Sequence, residues 1–189
     1  MLLEPSGDMM AGLMRCRGSN RMPLTMSQIC RPAFRRGLDA LADVLGKAEA
    51  QANERRIDPA VLLGARLFPD MFSLVRQVQI GGDFAKNTVA RLAGLDIPAF
   101  PDTETSFAEL QDRIARTLVF VESVPADAID GSEHRPVSVK TGRQILEFTG
   151  QPYLLQFALP NFYFHLATAY DILRHNGITL SKRDFIGEF

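Results

Sequence analysis

The sequence predicts an all-α fold, a bundle of four helices with one short β-hairpin before the last. Three observations carry that expectation. Apolar residues recur every three or four positions in four separate stretches, start and stop residues bracket those stretches, and the period drops to two only once, near residues 136–149. A chain of 189 residues suits one domain, long enough for a substantial core without disulfide staples. There is no internal repeat and no low-complexity tract.

The first helix is expected from Ser27 to about residue 53, with Phe34, Leu38, Leu41, Leu45 and Ala48 as its apolar stripe. Asp58 then stands as an N-cap before Pro59, and the second helix is expected to run on to Ala93, where Gly94 stops it. Pro69 falls inside that span and predicts a kink, with Gly81-Gly82 as a second weak point. After a linker with two prolines, Ser106 and Glu109 have the spacing of a capping box. The third helix follows, burying Phe107, Leu110, Ile114, Thr117, Leu118 and Val121. Val137 and Val139, then Ile145 and Glu147, alternate around Thr141-Gly142-Arg143 and read as a hairpin. Helix four starts near Gln151 and ends at Asn176, with Gly177 placed for a left-handed cap. The tail is expected to be ordered where Ile178, Phe185 and Ile186 can pack. The bundle is thus assigned to residues 26–189, and residues 1–25 to a disordered or loosely docked extension with Met26 as an alternative start.

Composition narrows function mainly by exclusion. A net charge of -1 argues against nucleic acid as a partner, since phosphate contacts need clustered Lys and Arg. The densest basic group, Arg31, Arg35 and Arg36, suits a solvated helix face. No apolar run is long enough to span a membrane. Glu4 and Asp8 sit where a secretory leader would need basic residues. Cys16 and Cys30 lack both a CxxC partner and metal-ligand spacing, which points to a reduced, cytoplasmic setting. No triad elbow, phosphate-binding glycine loop or HExxH motif is present.

The informative residues are polar ones on apolar faces. On a helical wheel His165 falls among Leu154, Ala158, Asn161, Ala169 and Ile172, so it is expected to point inward. The same construction on helix two sets Asp70 with Leu63, Leu67, Leu74 and Gln77. A buried carboxylate must be paired, hydrogen-bonded or metal-bound. Asp70, Asn161 and His165 could therefore meet inside the bundle, with Gln77 and Arg66 as neighbours. Three readings stay open: the residues are structural, as caps and a satisfied core imidazole; they line a pocket for a small molecule; or they hold a metal ion. As ligands, one imidazole with a carboxylate and an amide is a poor set for zinc and better suited to manganese or magnesium. His134 and His175 read as a loop residue and a C-terminal dipole partner.

Four separated segments resemble one family: "DPAVLLGARLFPDMFSLVRQVQIGGDFAKNTVARLAG", "FPDTETSFAELQDRI", "LPNFYFHLATAYDILRHNG" and "KRDFIG". They are similar to a bacterial and fungal family of unknown function in the DinB/YfiT-like superfamily of metalloenzymes. The resemblance implies a four-helix bundle with a small hairpin before the last helix. Metal-holding members use three histidines, one on helix two and two at HxxxH spacing on helix four, and some are thiol transferases. Here that pair reads Asn161 and His165, and helix two carries Asp70 with no histidine. The resemblance thus implies a degenerate divalent-metal site at Asp70, Asn161 and His165. Three expectations follow: a small-molecule pocket, a metal-dependent transferase acting on a small thiol or electrophile, or a non-catalytic dimeric interaction protein. Phe157, Tyr163, Phe164 and Tyr170 span a wide arc of helix four, and a homodimer would cover what the chain itself does not.

Overall fold

The computed structural model describes residues 24–187. The expected N-terminal extension, Cys16 included, lies outside the described residues apart from Leu24 and Thr25. Helix α1 (Met26–Arg55) starts at a capping box, in which the Thr25 hydroxyl accepts from the Gln28 backbone and the Gln28 side chain accepts from that of Thr25. Arg56, at φ 56, turns the chain away. Asp58 caps α2 (Pro59–Gly64) by accepting from the Ala60 N–H at 2.9 Å.

Here the structure departs from the sequence expectation. The second helix does not kink at Pro69; it stops at Gly64, and the next helix, α3 (Leu74–Ala93), starts ten residues later. Proline lacks the N–H and its ring crowds the preceding turn. The gap is instead closed by Leu74 N–H donating to the Ala65 carbonyl at 2.9 Å. Residues 66–70 lie exposed on this break. Gly81-Gly82 proves no weak point. Both are buried within α3, and a Cβ on Gly81 would stand 2.9 Å from Leu166 Cδ1, so glycine there lets another helix approach closely.

Gly94, at φ 70, ends α3 as expected. Helix α4 (Phe107–Ser123) opens on the Ser106–Glu109 capping box and buries Phe107, Leu110, Ile114, Thr117 and Val121. The short helix α5 (Ala126–Ile129) leads to the hairpin, β1 (Pro136–Thr141) paired antiparallel with β2 (Gln144–Thr149). Its two-residue turn has Gly142 at φ 59, which a residue with a Cβ adopts only with strain. Val137 and Val139 face inward opposite Phe148 and Leu146, whereas Ile145 is 66% exposed.

The last long helix is continuous in backbone but mixed in type. It runs through α6 (Gly150–Pro152), a π-helical turn (Tyr153–Ala158) and α7 (Leu159–His175). Asn161 is therefore inside the helix and is not its cap. Gly150 is required for packing: an added Cβ would lie 2.0 Å from the Ser132 carbonyl oxygen. Gly177, at φ 81, then leads to α8 (Lys182–Ile186), which lies on α1 with an ion pair between Lys47 and Asp184. Helices α1, α3, α4 and α7 form the bundle around a single core. No helix among the described residues is long and apolar enough to cross a membrane.

Candidate functional site

Helices α3 and α7 form the most extensive helix pair of the bundle, and His165 lies on the seam. It is 8% exposed and its ring stacks on Phe84, centroids 5.7 Å apart at 21°. Nδ1 lies 2.7 Å from the Gln77 side-chain oxygen. The Gln77 amide group in turn donates to the Phe72 carbonyl at 3.2 Å, which fixes that oxygen as an acceptor. The proton of the neutral imidazole is therefore on Nδ1, and Nε2 keeps its lone pair. Burial, with the nearby Arg76 charge, lowers the His165 pKa from 6.5 to about 4, so the ring is neutral at physiological pH.

His165 and Asn161 share one wall of a cleft of about 370 Å³ between α3, the α7 segment and the hairpin. The Asn161 amide group donates to the Phe157 carbonyl at 2.7 Å, one turn back, which leaves its side-chain oxygen as an acceptor. From α3 come Asp83 and Asn87; the Asn87 side-chain oxygen is buried with no hydrogen-bond partner among the described residues. Phe72, Phe84 and Phe157 supply an aromatic surface, and Lys140 and Thr141 of β1 close one side. Arg91 also lines the cleft, held by donating to the Tyr153 hydroxyl at 3.1 Å.

The predicted site residues thus separate. Gln77, Asn161 and His165 come together. Asp70 does not join them: it is exposed on the break after Pro69 and does not line the cleft, because the apolar stripe assigned to it was counted through a helix that stops at Gly64. Arg66 is exposed on the same break and reaches only the Met71 carbonyl at 3.4 Å. Asp83, Asn87 and Arg91 were missed. The first two repeat on α3 the four-residue spacing that singled out Asn161 and His165, a signal present in the sequence.

These donors do not fit a three-imidazole metal centre. His165 offers one nitrogen, Asn161 offers an amide oxygen in place of a histidine, and α3 supplies no imidazole. No group of three His, Cys, Asp or Glu among the described residues is placed to hold a metal ion. Nor does Cys30 offer a nucleophile, since it is buried and burial pushes its thiol pKa up to about 12.

Behind the cleft, Arg113 of α4 is 1% exposed and gathers three carboxylates: Glu104 at 2.9 Å, and Asp83 and Asp102 at 3.0 Å each. Burial tends to raise the Glu104 pKa, but hydrogen bonds from Arg113 and Gln79 outweigh it and hold the carboxyl below its ordinary value. Lys86 donates to the Pro98 carbonyl at 2.6 Å and lies 4.4 Å from the Phe100 ring centroid. Together these bonds strap the linker between α3 and α4 onto the bundle. On the surface, Phe157 and Tyr170 are largely covered within the chain, against Phe84 and Phe185, while Tyr163 and Phe164 remain 43% and 55% exposed.

Comparison with known proteins agrees with this architecture. A crystal structure of a DinB family member protein from Shewanella denitrificans superposes with a TM-score of 0.78 at 38% sequence identity, over 86% of this chain and 92% of that one. No curated protein matches. The model of the family described as "Domain of unknown function (DUF1993)" matches residues 26–186, so the chain belongs to that family, on a DinB-like bundle.

Proposed function

We propose that this protein binds a small organic molecule in the cleft between α3, α7 and the hairpin, with His165 Nε2 accepting a hydrogen bond from the ligand. One observation carries the reading: the chain from the Phe72 carbonyl through Gln77 to His165 Nδ1, which presets the imidazole tautomer and leaves its other nitrogen open. A core histidine needed only for packing would have both nitrogens satisfied or shielded. Here the ring borders a cleft within the size range of ligand sites, with aromatic surface on one side and a few oriented polar groups on the other. The neutral ring can accept a proton or a hydrogen bond, and among the described residues no nucleophile or metal set stands beside it.

The test pairs phenol with anisole, which share shape and differ by one donor. In ¹⁵N–¹H NMR titrations phenol should bind with shifts centred on His165 and Phe84, and more tightly than anisole. His165→Phe should abolish the difference. The ¹⁵N spectrum of the wild-type ring should show protonation on Nδ1. Equal binding of the two probes, or no binding of phenol, would count against the proposal.

A further inference from the structure

The cleft is polarised along its length. At one end His165 Nε2 and the Asn161 side-chain oxygen are acceptors. Towards the other end the open groups are donors. The Asn87 oxygen is turned inward and buried, so its amide group is the end left towards the cleft. Arg91 spends one N–H on the Tyr153 hydroxyl at 3.1 Å and keeps its remaining guanidinium donors. Lys140 and Thr141 of β1 border the same space, and neither side chain makes a hydrogen bond among the described residues. Along α3 the step from Phe84, which stacks on His165, to Arg91 is about 10 Å of helix.

The charges at the donor end have one sign. Neither Arg91 nor Lys140 makes an ion pair among the described residues. Glu147 of β2 lies opposite Ser138, not opposite Lys140, and accepts from the Ser138 hydroxyl at 2.6 Å. Asp83 also lines the cleft, but its charge is already met. With Asp102 and Glu104 it forms a closed set around Arg76, Lys86 and Arg113, three carboxylates against three cations. The cleft thus holds two cations without a counter-charge. A cationic ligand would meet both of them, and a neutral one would leave both unpaired. Arg91 is half-buried and held by Tyr153, so little side-chain freedom is lost when an anion meets it.

We infer that the ligand is a flat aromatic carboxylic acid, bound as its anion. The carboxylate meets Arg91 and Lys140, the ring lies on Phe84 and Phe157, and a hydroxyl or N–H at the far end of the molecule donates to His165 Nε2. A carboxylate suits this end because its two oxygens match the fork of a guanidinium. The inference rests on the cleft being the binding site, as proposed above.

Three probes share a para-hydroxyphenyl group and differ only at the other end: phloretate is an anion, phloretamide is neutral and tyramine is a cation. Dissociation constants come from NMR titration of the full chain at low salt. Phloretate should bind about ten-fold more tightly than phloretamide, the worth of one charge-assisted hydrogen bond, and tyramine should bind most weakly. Added salt should narrow the gap by weakening phloretate alone. Arg91→Gln should bring phloretate close to the phloretamide value, Arg91→Lys should keep part of the difference, and Lys140→Gln, at an exposed position, should remove a smaller part. Phloretate binding no better than phloretamide, or tyramine binding tightest, overturns this inference and leaves the His165 reading intact. A preference for phloretate that survives both glutamine substitutions places the anion elsewhere and also overturns it. Phenol binding no better than anisole overturns both statements. If Arg91→Gln fails to fold, the wild-type series and Lys140→Gln decide.

Discussion

Helix α3 has two polar flanks, and they are built on opposite rules. On the α4 flank, Asp83, Lys86 and Arg113 are nested among Asp102, Glu104 and the Pro98 and Pro101 carbonyls, and nearly every donor finds an acceptor. On the α7 flank, Gln77 is fixed by two hydrogen bonds and Asn161 and His165 by one each, and each leaves or helps to leave an acceptor open. The first arrangement holds backbone in place: the linker over residues 98–104 has no regular structure of its own and is tied down by side chains. The second holds side chains in place without using their last valence. Burial and polarity alone do not tell these apart. The direction of each hydrogen bond does.

The contrast is broken most severely on the α4 flank. Arg113→Met should destabilise the protein by about 3–5 kcal/mol, because three carboxylates lose their shared cation and Glu104 is left buried. Chemical denaturation should show this as a lower midpoint, and proteolysis should cut first in the linker once its strap is gone. Cleft binding of phenol, measured well below the new midpoint, should change little by comparison. A loss of stability below about 1 kcal/mol would mean that the linker is held by Lys86 and Phe100 without help from Arg113.

An intermediate effect belongs to His165. Its folded pKa of about 4 lies below the ordinary 6.5, so in the window between them the unfolded chain binds a proton that the native ring refuses. Stability should therefore be fully present above pH 6.5 and fall as pH drops towards 4, by about 3 kcal/mol in all. Glu104 shifts in the same sense but acts at lower pH, since its carboxyl titrates below its ordinary value of 4.5. Urea midpoints at pH 7 and pH 5 should differ in the wild type and nearly coincide in His165→Gln. A pH slope that survives the substitution would place the titrating group elsewhere.

How much of this was readable from the sequence depends on the range of the interaction involved. Asp58-Pro59, Ser106 with Glu109, Gly94 and Gly177 all act within one turn of the chain, and each ends or starts a helix where expected. The inward face of α7 was also readable, because Leu154, Ala158, Ala169 and Ile172 keep their phase through the π-helical turn well enough to bury His165 with them. Asp70 failed for the converse reason. A helical wheel carries its phase forward only while the helix is unbroken, and this one ended at Gly64. Once α3 starts at Leu74, its cleft face is set by Ile80, Phe84, Asn87 and Arg91. Arg113 gave no local sign at all: an arginine on an amphipathic helix normally reads as surface, and its burial depends on carboxylates from two other segments. The hairpin was visible as a period of two, but its place beside the cleft is long-range information that no window of sequence contains.

The smallest effect on stability should come from Asn161, and it sharpens the comparison most. Its amide group makes one hydrogen bond, back to the Phe157 carbonyl in the turn before it. In a regular helix that carbonyl has a backbone partner, so a side-chain bond to it adds little. Pro160, without an N–H, and the π-helical turn that ends at Ala158 alter the pairing of this turn and make the bond more useful than usual. Even so, a single neutral hydrogen bond at a half-buried site contributes about 0.5–1.5 kcal/mol. Asn161→Ala should therefore lower stability by about 1 kcal/mol, several-fold less than Arg113→Met, while removing an acceptor that lines the cleft beside His165. Phenol affinity should fall in this variant although the fold is hardly disturbed, and urea denaturation with NMR titration on one sample reads both quantities. If Asn161→Ala instead costs as much stability as Arg113→Met and leaves the probes unaffected, the α7 flank is a structural network like its neighbour, and the two sides of α3 obey one rule.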